Sequence, residues 1–184
     1  GAVRPPAAEV ALVAVLHRVG AARAGGLVEA ILPAGHVAAK VAGATVALGG
    51  AQIAGTGMYI EPTVVTGVKS DMAIAREEVF GPVLAMLTFK DLDDAVALAN
   101  STLYGLSAAV WSQDFSTCLT AARRIRAGTI WVNTFLEGHA ELPFGGYQQS
   151  GIGRELGRFA VEDYTETKTL QMHLGGRTDW YLPR

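Results

Sequence analysis

Cysteine is almost missing from this chain: Cys118 is the only one in 184 residues. One thiol excludes an internal disulfide framework and any multi-cysteine metal site, and it fits a reducing compartment. Excess positive charge is missing too. The 15 Lys and Arg residues stand against 17 Asp and Glu, for a net charge of −2 and an isoelectric point near 6.1. Apart from Arg123, Arg124 and Arg126 the cations are scattered, so no field recruits nucleic acid. The longest strongly apolar run, Val10 to Leu16, is far too short to span a bilayer. No charged n-region with an apolar core and a small-residue cleavage site opens the sequence. These absences lead to the expectation of a soluble cytoplasmic protein with no nucleic-acid or membrane partner. What is present is apolar material, 50% of the residues, enough for a sizeable core in one domain.

Residues 1–33 are a monotonous mixture of Ala, Val, Gly and Arg. After Pro5-Pro6 the spacing of Val10, Val13, Leu16 and Val19 predicts a helix from Ala7 to Arg23, and Pro33 interrupts any continuation. From Ala34 the sequence becomes varied. Ala34 to Val41 reads as a short helix stopped by Gly43, and Ala44 to Leu48 as a strand ended by Gly49-Gly50. Met58 to Val65, broken by Pro62, reads as an extended segment at a sheet edge.

Val83 to Phe89 is a nearly continuous apolar run, the pattern of a strand covered on both faces. Asp91 caps a predicted helix with Ala95, Leu98 and Ala99 on one face. Asp114 caps a second, on which Phe115, Cys118, Leu119, Ala122 and Ile125 form a stripe. Leu106 to Trp111 and Thr129 to Val132 are the strands between and after them. This alternation predicts an α/β fold with right-handed crossovers and a parallel sheet. Asn133 falls at the carboxyl end of the last of these strands, where open α/β sheets keep their sites. Glu166 to Leu174 alternates enough to be an exposed strand, followed by a tail with Trp180, Tyr181 and Leu182. Such a strand either joins another subunit or folds back on its own sheet.

Two stretches have neither helical nor strand periodicity: Arg76-Glu77-Glu78-Val79-Phe80-Gly81-Pro82, and Leu142 to Gly157 with its five glycines. The second is not a dinucleotide fingerprint, because after Gly151-x-Gly153 the next glycine is Gly157 and the residues before are polar loop. Its glycines instead let the backbone turn tightly and pack against a neighbouring loop, with a short helix expected from Arg154 through Val161. Together the two stretches resemble the C-terminal half of the aldehyde dehydrogenase superfamily, which reads E-E-x-F-G-P-V and then P-F-G-G-x-x-x-S-G-x-G-R-E-x-G. Every fixed position is matched, and the resemblance covers about residues 34–184. It implies that residues 34–163 are the C-terminal part of an α/β catalytic domain and that 164–184 form an oligomerisation strand and tail. Residues 1–33 stay outside it.

The resemblance also implies roles. Glu78 would accept hydrogen bonds from the nicotinamide ribose of NAD or NADP, and Phe80 would pack against the nicotinamide end. An ionised carboxylate suits the first task because it only accepts and can take two hydroxyl donors. Phe144 would lie near the reacting carbon of an aldehyde, with Phe135, Leu136 and Gly138 further out along the tunnel. Glu137, His139 and Glu141 form a polar set on the same loop. One histidine and two carboxylates rarely suffice for a metal, so they are read as lining the tunnel mouth or facing solvent, and no metal is expected. The family's nucleophilic cysteine, general-base glutamate, oxyanion asparagine and pyrophosphate-binding unit belong to motifs not found in these residues. Cys118, on a helix stripe with no histidine or glycine-rich turn beside it, reads as a structural core residue. No catalytic residue is therefore assigned, and the chain alone is expected to be inactive. A non-catalytic assembly module that joins homologous subunits, or a gene remnant, are the competing readings.

Overall fold

The computed structural model describes residues 11–15, 42–54 and 59–176. In chain order the elements are β1 (Ala11–Val15), β2 (Thr45–Leu48), β3 (Thr63–Thr66), α1 (Ala73–Arg76), β4 (Val83–Ala85), α2 (Leu92–Ala99), β5 (Tyr104–Gly105), β6 (Ser107–Trp111), α3 (Phe115–Arg124), β7 (Thr129–Val132), β8 (Tyr147–Gln148) and α4 (Phe159–Asp163). They form three small sheets, ordered β1-β6-β7, β2-β3-β4 and β5-β8.

Of the parallel pairings expected among the strands at 83–89, 106–111 and 129–132, β6 with β7 occurs, whereas β4 lies in another sheet and pairs in parallel with β3, which is central there and not at an edge. The remaining pairs, β1 with β6, β2 with β3 and β5 with β8, are antiparallel. The single parallel sheet is thus replaced by mixed sheets. The loop between β2 and β3 explains part of this: Gly49 takes a positive φ of 65°, and Gln52 bridges Ile60, folding the chain back on itself. Strand β3 begins at Thr63, directly after Pro62, which has no amide to give to a ladder.

Helices α2 and α3 start where carboxylates cap them. Asp91 accepts from the Asp94 amide at 2.9 Å, and Asp94 in turn accepts from the Lys90 amide at 3.0 Å. Asp114 accepts from the amides of Ser116 and Thr117. The stripe that α3 buries is Cys118 and Ala121, with Ile125 just beyond its end. Phe115, expected on that stripe, is 74% exposed, and Leu119 is also at the surface. Cys118, Ala121 and Ile125 make one apolar cluster with Val96, Ala108, Val110 and Ala127; Ala44, Val65, Val68, Met72 and Ile74 make a second.

Four further expectations change. Residues 11–15 form a strand, not part of a helix from Ala7 to Arg23; Leu, Val and Val suit a pleated ladder, and β6 offers one. The rest of that predicted helix, the helix at Ala34 to Val41 and the tail at Trp180 to Leu182 lie outside the described residues. Strand β4 is covered on one face only: Val83, Ala85 and Leu87 pack against the second cluster, while Leu84 and Met86 are about half exposed. The helix expected from Arg154 starts at Phe159, because Glu155 is held in a bridge to Phe144. Glu166 to Leu174, expected as an exposed strand, form no ladder with the described residues and are exposed throughout.

Candidate functional site

The Glu77 to Pro82 segment is fastened at both ends. Glu77 closes α1 by donating its amide to the Ala73 carbonyl at 2.8 Å, and the Pro82 carbonyl accepts from the Thr63 amide of β3 at 2.8 Å. Between these anchors Val79 packs into the second apolar cluster, Glu78 is half-buried, and the Phe80 ring is 66% exposed. An extended backbone sends successive side chains to opposite sides, so anchoring Val79 inward presents its neighbours outward. Among the described residues the Glu78 carboxylate has no hydrogen-bond or ion-pair partner, which leaves its oxygens available to outside donors.

The second part of the site leaves the end of β7. Asn133, at a φ of 55°, accepts from the Ser112 amide and donates to the Ser112 carbonyl, each at 2.9 Å. Its amide group staples the end of β7 to the end of β6 and so shapes the loop, with a second N–H and a second lone pair still unused among the described residues. Trp131 donates its indole N–H to the Glu137 carbonyl at 2.6 Å, and its ring meets Phe135 edge to face with centroids 5.3 Å apart. Phe135 is thereby fixed, whereas Leu136, with a φ of 59°, is 69% exposed, and Gly138 faces open space.

Phe144 is half-buried and exchanges two backbone hydrogen bonds of 2.7 Å with Glu155. Behind it Gly145 lies against Gly128 so closely that a Cβ on Gly128 would strike the Gly145 carbonyl. Arg154 reinforces this packing by donating to the carbonyls of Gly146 and Gly153, with its guanidinium 5.5 Å from the centre of the Tyr147 ring. The glycine-rich stretch packs tightly against its neighbours, as its glycines were expected to allow.

The expected residues therefore fall into two groups on two supports. Glu78 and Phe80 stand on the segment tied to β3 and the second cluster. Phe135, Leu136, Gly138 and Phe144 stand on the loop between β7 and β8. Glu137, His139 and Glu141 are exposed, and among the described residues no group of three His, Cys, Asp or Glu side chains is placed to hold a metal ion. Cys118 is 2% exposed and directs its thiol at the Ser112 carbonyl, 3.6 Å away. The hydrogen bond from the Thr117 hydroxyl, then those from the amides of Thr117 and Ser116, hold the Asp114 carboxyl below its ordinary value. Sequence reasoning missed Trp131 and the Ser112–Asn133 staple. The Trp131 to Phe135 spacing was the available signal for the first.

Strands paired in parallel and linked through helices, beside antiparallel pairs, mark this as a mixed α/β architecture. The chain belongs to the Aldehyde dehydrogenase family, which it matches over residues 34–170. It is similar to the "Aldehyde dehydrogenase" of Aspergillus niger, 48% identical over 74% of this chain and 27% of that protein. Among solved structures it resembles an NAD-dependent aldehyde dehydrogenase from Sinorhizobium meliloti, with a TM-score of 0.77 and 47% identity over 86% of this chain and 32% of that one. It also resembles an aldehyde dehydrogenase from Bacillus cereus in complex with NAD+, with a TM-score of 0.73 and 43% identity over 78% of this chain and 29% of that one. The chain thus spans about a quarter to a third of the length of these relatives. Among the described residues no helix is long and apolar enough to cross a membrane.

Proposed function

We propose that this chain supplies one wall of the active site of an NAD(P)-dependent aldehyde dehydrogenase that oxidises an aldehyde to a carboxylic acid. The observation that carries the reading is the Glu78 carboxylate, unpartnered among the described residues, on a segment anchored at both ends and next but one to the exposed Phe80 ring. A held carboxylate that keeps its acceptor capacity fits two ribose hydroxyls, and an exposed aromatic ring fits the flat nicotinamide. NAD or NADP, when bound, supplies the hydride acceptor. Glu78 orients the ribose and Phe80 covers one side of the ring. Phe144, Phe135, Leu136 and Gly138 line the approach of the aldehyde, with Trp131 fixing Phe135 in place.

Oxidation through a covalent thioester requires an accessible thiolate. Cys118 is buried in the core and cannot meet an aldehyde. The 184 residues alone are accordingly inactive. Incubating the purified chain with an aliphatic aldehyde and either NAD or NADP yields no reduced cofactor. A robust, cofactor-dependent rate overturns this reading.

Residues 164–176 support an assembly role alongside the site. They are exposed, and Leu170, Met172 and Leu174 recur at alternate positions with exposures of 70% or more. In an extended segment these three share a face. We assign that face to a neighbouring homologous subunit. The use of a single cysteine supports a cytoplasmic setting.

A further inference from the structure

We infer that the outer edge of β6 is an acceptor site for an extended aliphatic strand, occupied in this chain by its own residues 11–15. Strand β6 is Ser-Ala-Ala-Val-Trp, and its Ala108, Ala109 and Val110 are at most 2% exposed. It carries no lysine, proline or bulge, the features that keep an edge from recruiting other strands. Such a sequence belongs in the middle of a sheet, with a neighbour on each side.

One neighbour is β7, which pairs in parallel. The other is β1, which runs antiparallel and comes from outside the family-matched residues 34–170. Its register covers all of β6, from Ala11 opposite Trp111 to Val15 opposite Ser107. Direction can be assigned residue by residue. The carbonyls of Leu106 and Val110 accept from the β7 side, through the amides of Thr129 and Asn133. Backbone groups alternate along a strand, so Ser107, Ala109 and Trp111 direct theirs at β1. Val13, opposite Ala109, is therefore the central donor of the β1 ladder, and the Leu12 amide faces away.

What the edge selects is an uncharged run of small and β-branched residues able to lie flat along β6, as Ala-Leu-Val-Ala-Val does. The backbone supplies the recognition, and any segment of that character that reaches the edge competes with residues 11–15.

Proline substitution separates the two sides of β1. In Val13→Pro the amide that bonds Ala109 is gone, whereas Leu12→Pro removes an amide on the open side, where an edge strand tolerates it. A fluorescent peptide of residues 9–18 is titrated into the parent chain and both variants, with anisotropy as the readout. The Val13→Pro chain binds at least tenfold more tightly than the parent and Leu12→Pro chains. Equal binding by all three, or none by Val13→Pro, overturns the inference. If Val13→Pro does not fold, amide exchange in the parent chain decides. Slow exchange at Ala109, comparable with Ala108 and Val110, supports an occupied edge, and exchange at the open-chain rate at Ala109 alone rules it out.

Discussion

At the residue scale, the site depends on side chains that give up their polar groups to hold others in place. Asn133 spends both ends of its amide on Ser112, and Trp131 spends its indole N–H on the Glu137 carbonyl. Glu78 is the contrast, a half-buried carboxylate with no partner among the described residues. The glycines show the same economy of space. Gly128 has no room for a methyl group because the Gly145 backbone occupies that volume, so Gly128→Ala must push the glycine-rich loop away from β7. A cost of about 1–3 kcal/mol is expected, read as a lower urea midpoint with unchanged slope. Gly138→Ala, facing open space, should change stability by less than about 0.5 kcal/mol in the same experiment.

At the element scale, much was legible because caps and periods act locally. Asp91 and Asp114 marked their helices, and β7 runs from Thr129 to Val132 as its sequence predicts. The failures lie where a distant partner decides. An apolar run such as Val83 to Phe89 does not reveal that only one of its faces will be covered, and Glu155 reads as a helix residue until Phe144 takes its backbone groups. Residues 11–15 satisfy a helical spacing and still form a strand, because β6 presents an edge to be filled. The two aperiodic segments were legible only as places where side chains are presented. How each is fastened, by Pro82 on Thr63 and by Asn133 on Ser112, depends on tertiary contacts.

The cap of α3 also makes a pH prediction. The bonds from Thr117 and Ser116 favour the charged Asp114 carboxylate and lower its folded value from 3.8. Its contribution to stability is present above that value and is lost as pH falls through the lowered folded value. Because the group is solvent-exposed, the effect is small. Comparing chemical denaturation of Asp114→Asn and the parent chain should show their stabilities converging as the pH is lowered below about 4. A constant difference from neutral to strongly acidic pH would remove the assignment.

At the scale of the whole molecule, the exposed Leu170, Met172 and Leu174 are the side chains that the proposed assembly role would cover. Placing charge there, as Leu170→Arg with Leu174→Arg, should shift the chain to a smaller species in size-exclusion chromatography with light scattering, while leaving the thermal melt in place. An unchanged mass would mean that this segment assembles nothing.

The proposed role of Glu78 is to hold the cofactor ribose in a complete aldehyde dehydrogenase. Its most direct test is a chimera in which residues 34–170 replace the matching region of the Sinorhizobium meliloti NAD-dependent enzyme. The chimera should reduce NAD+ in the presence of an aldehyde, and Glu78→Gln within it should lower kcat/KM for NAD+ by about tenfold, the equivalent of roughly 1.4 kcal/mol. The KM for aldehyde should change little. An active chimera whose kinetics toward NAD+ are indifferent to Glu78→Gln would contradict the assignment.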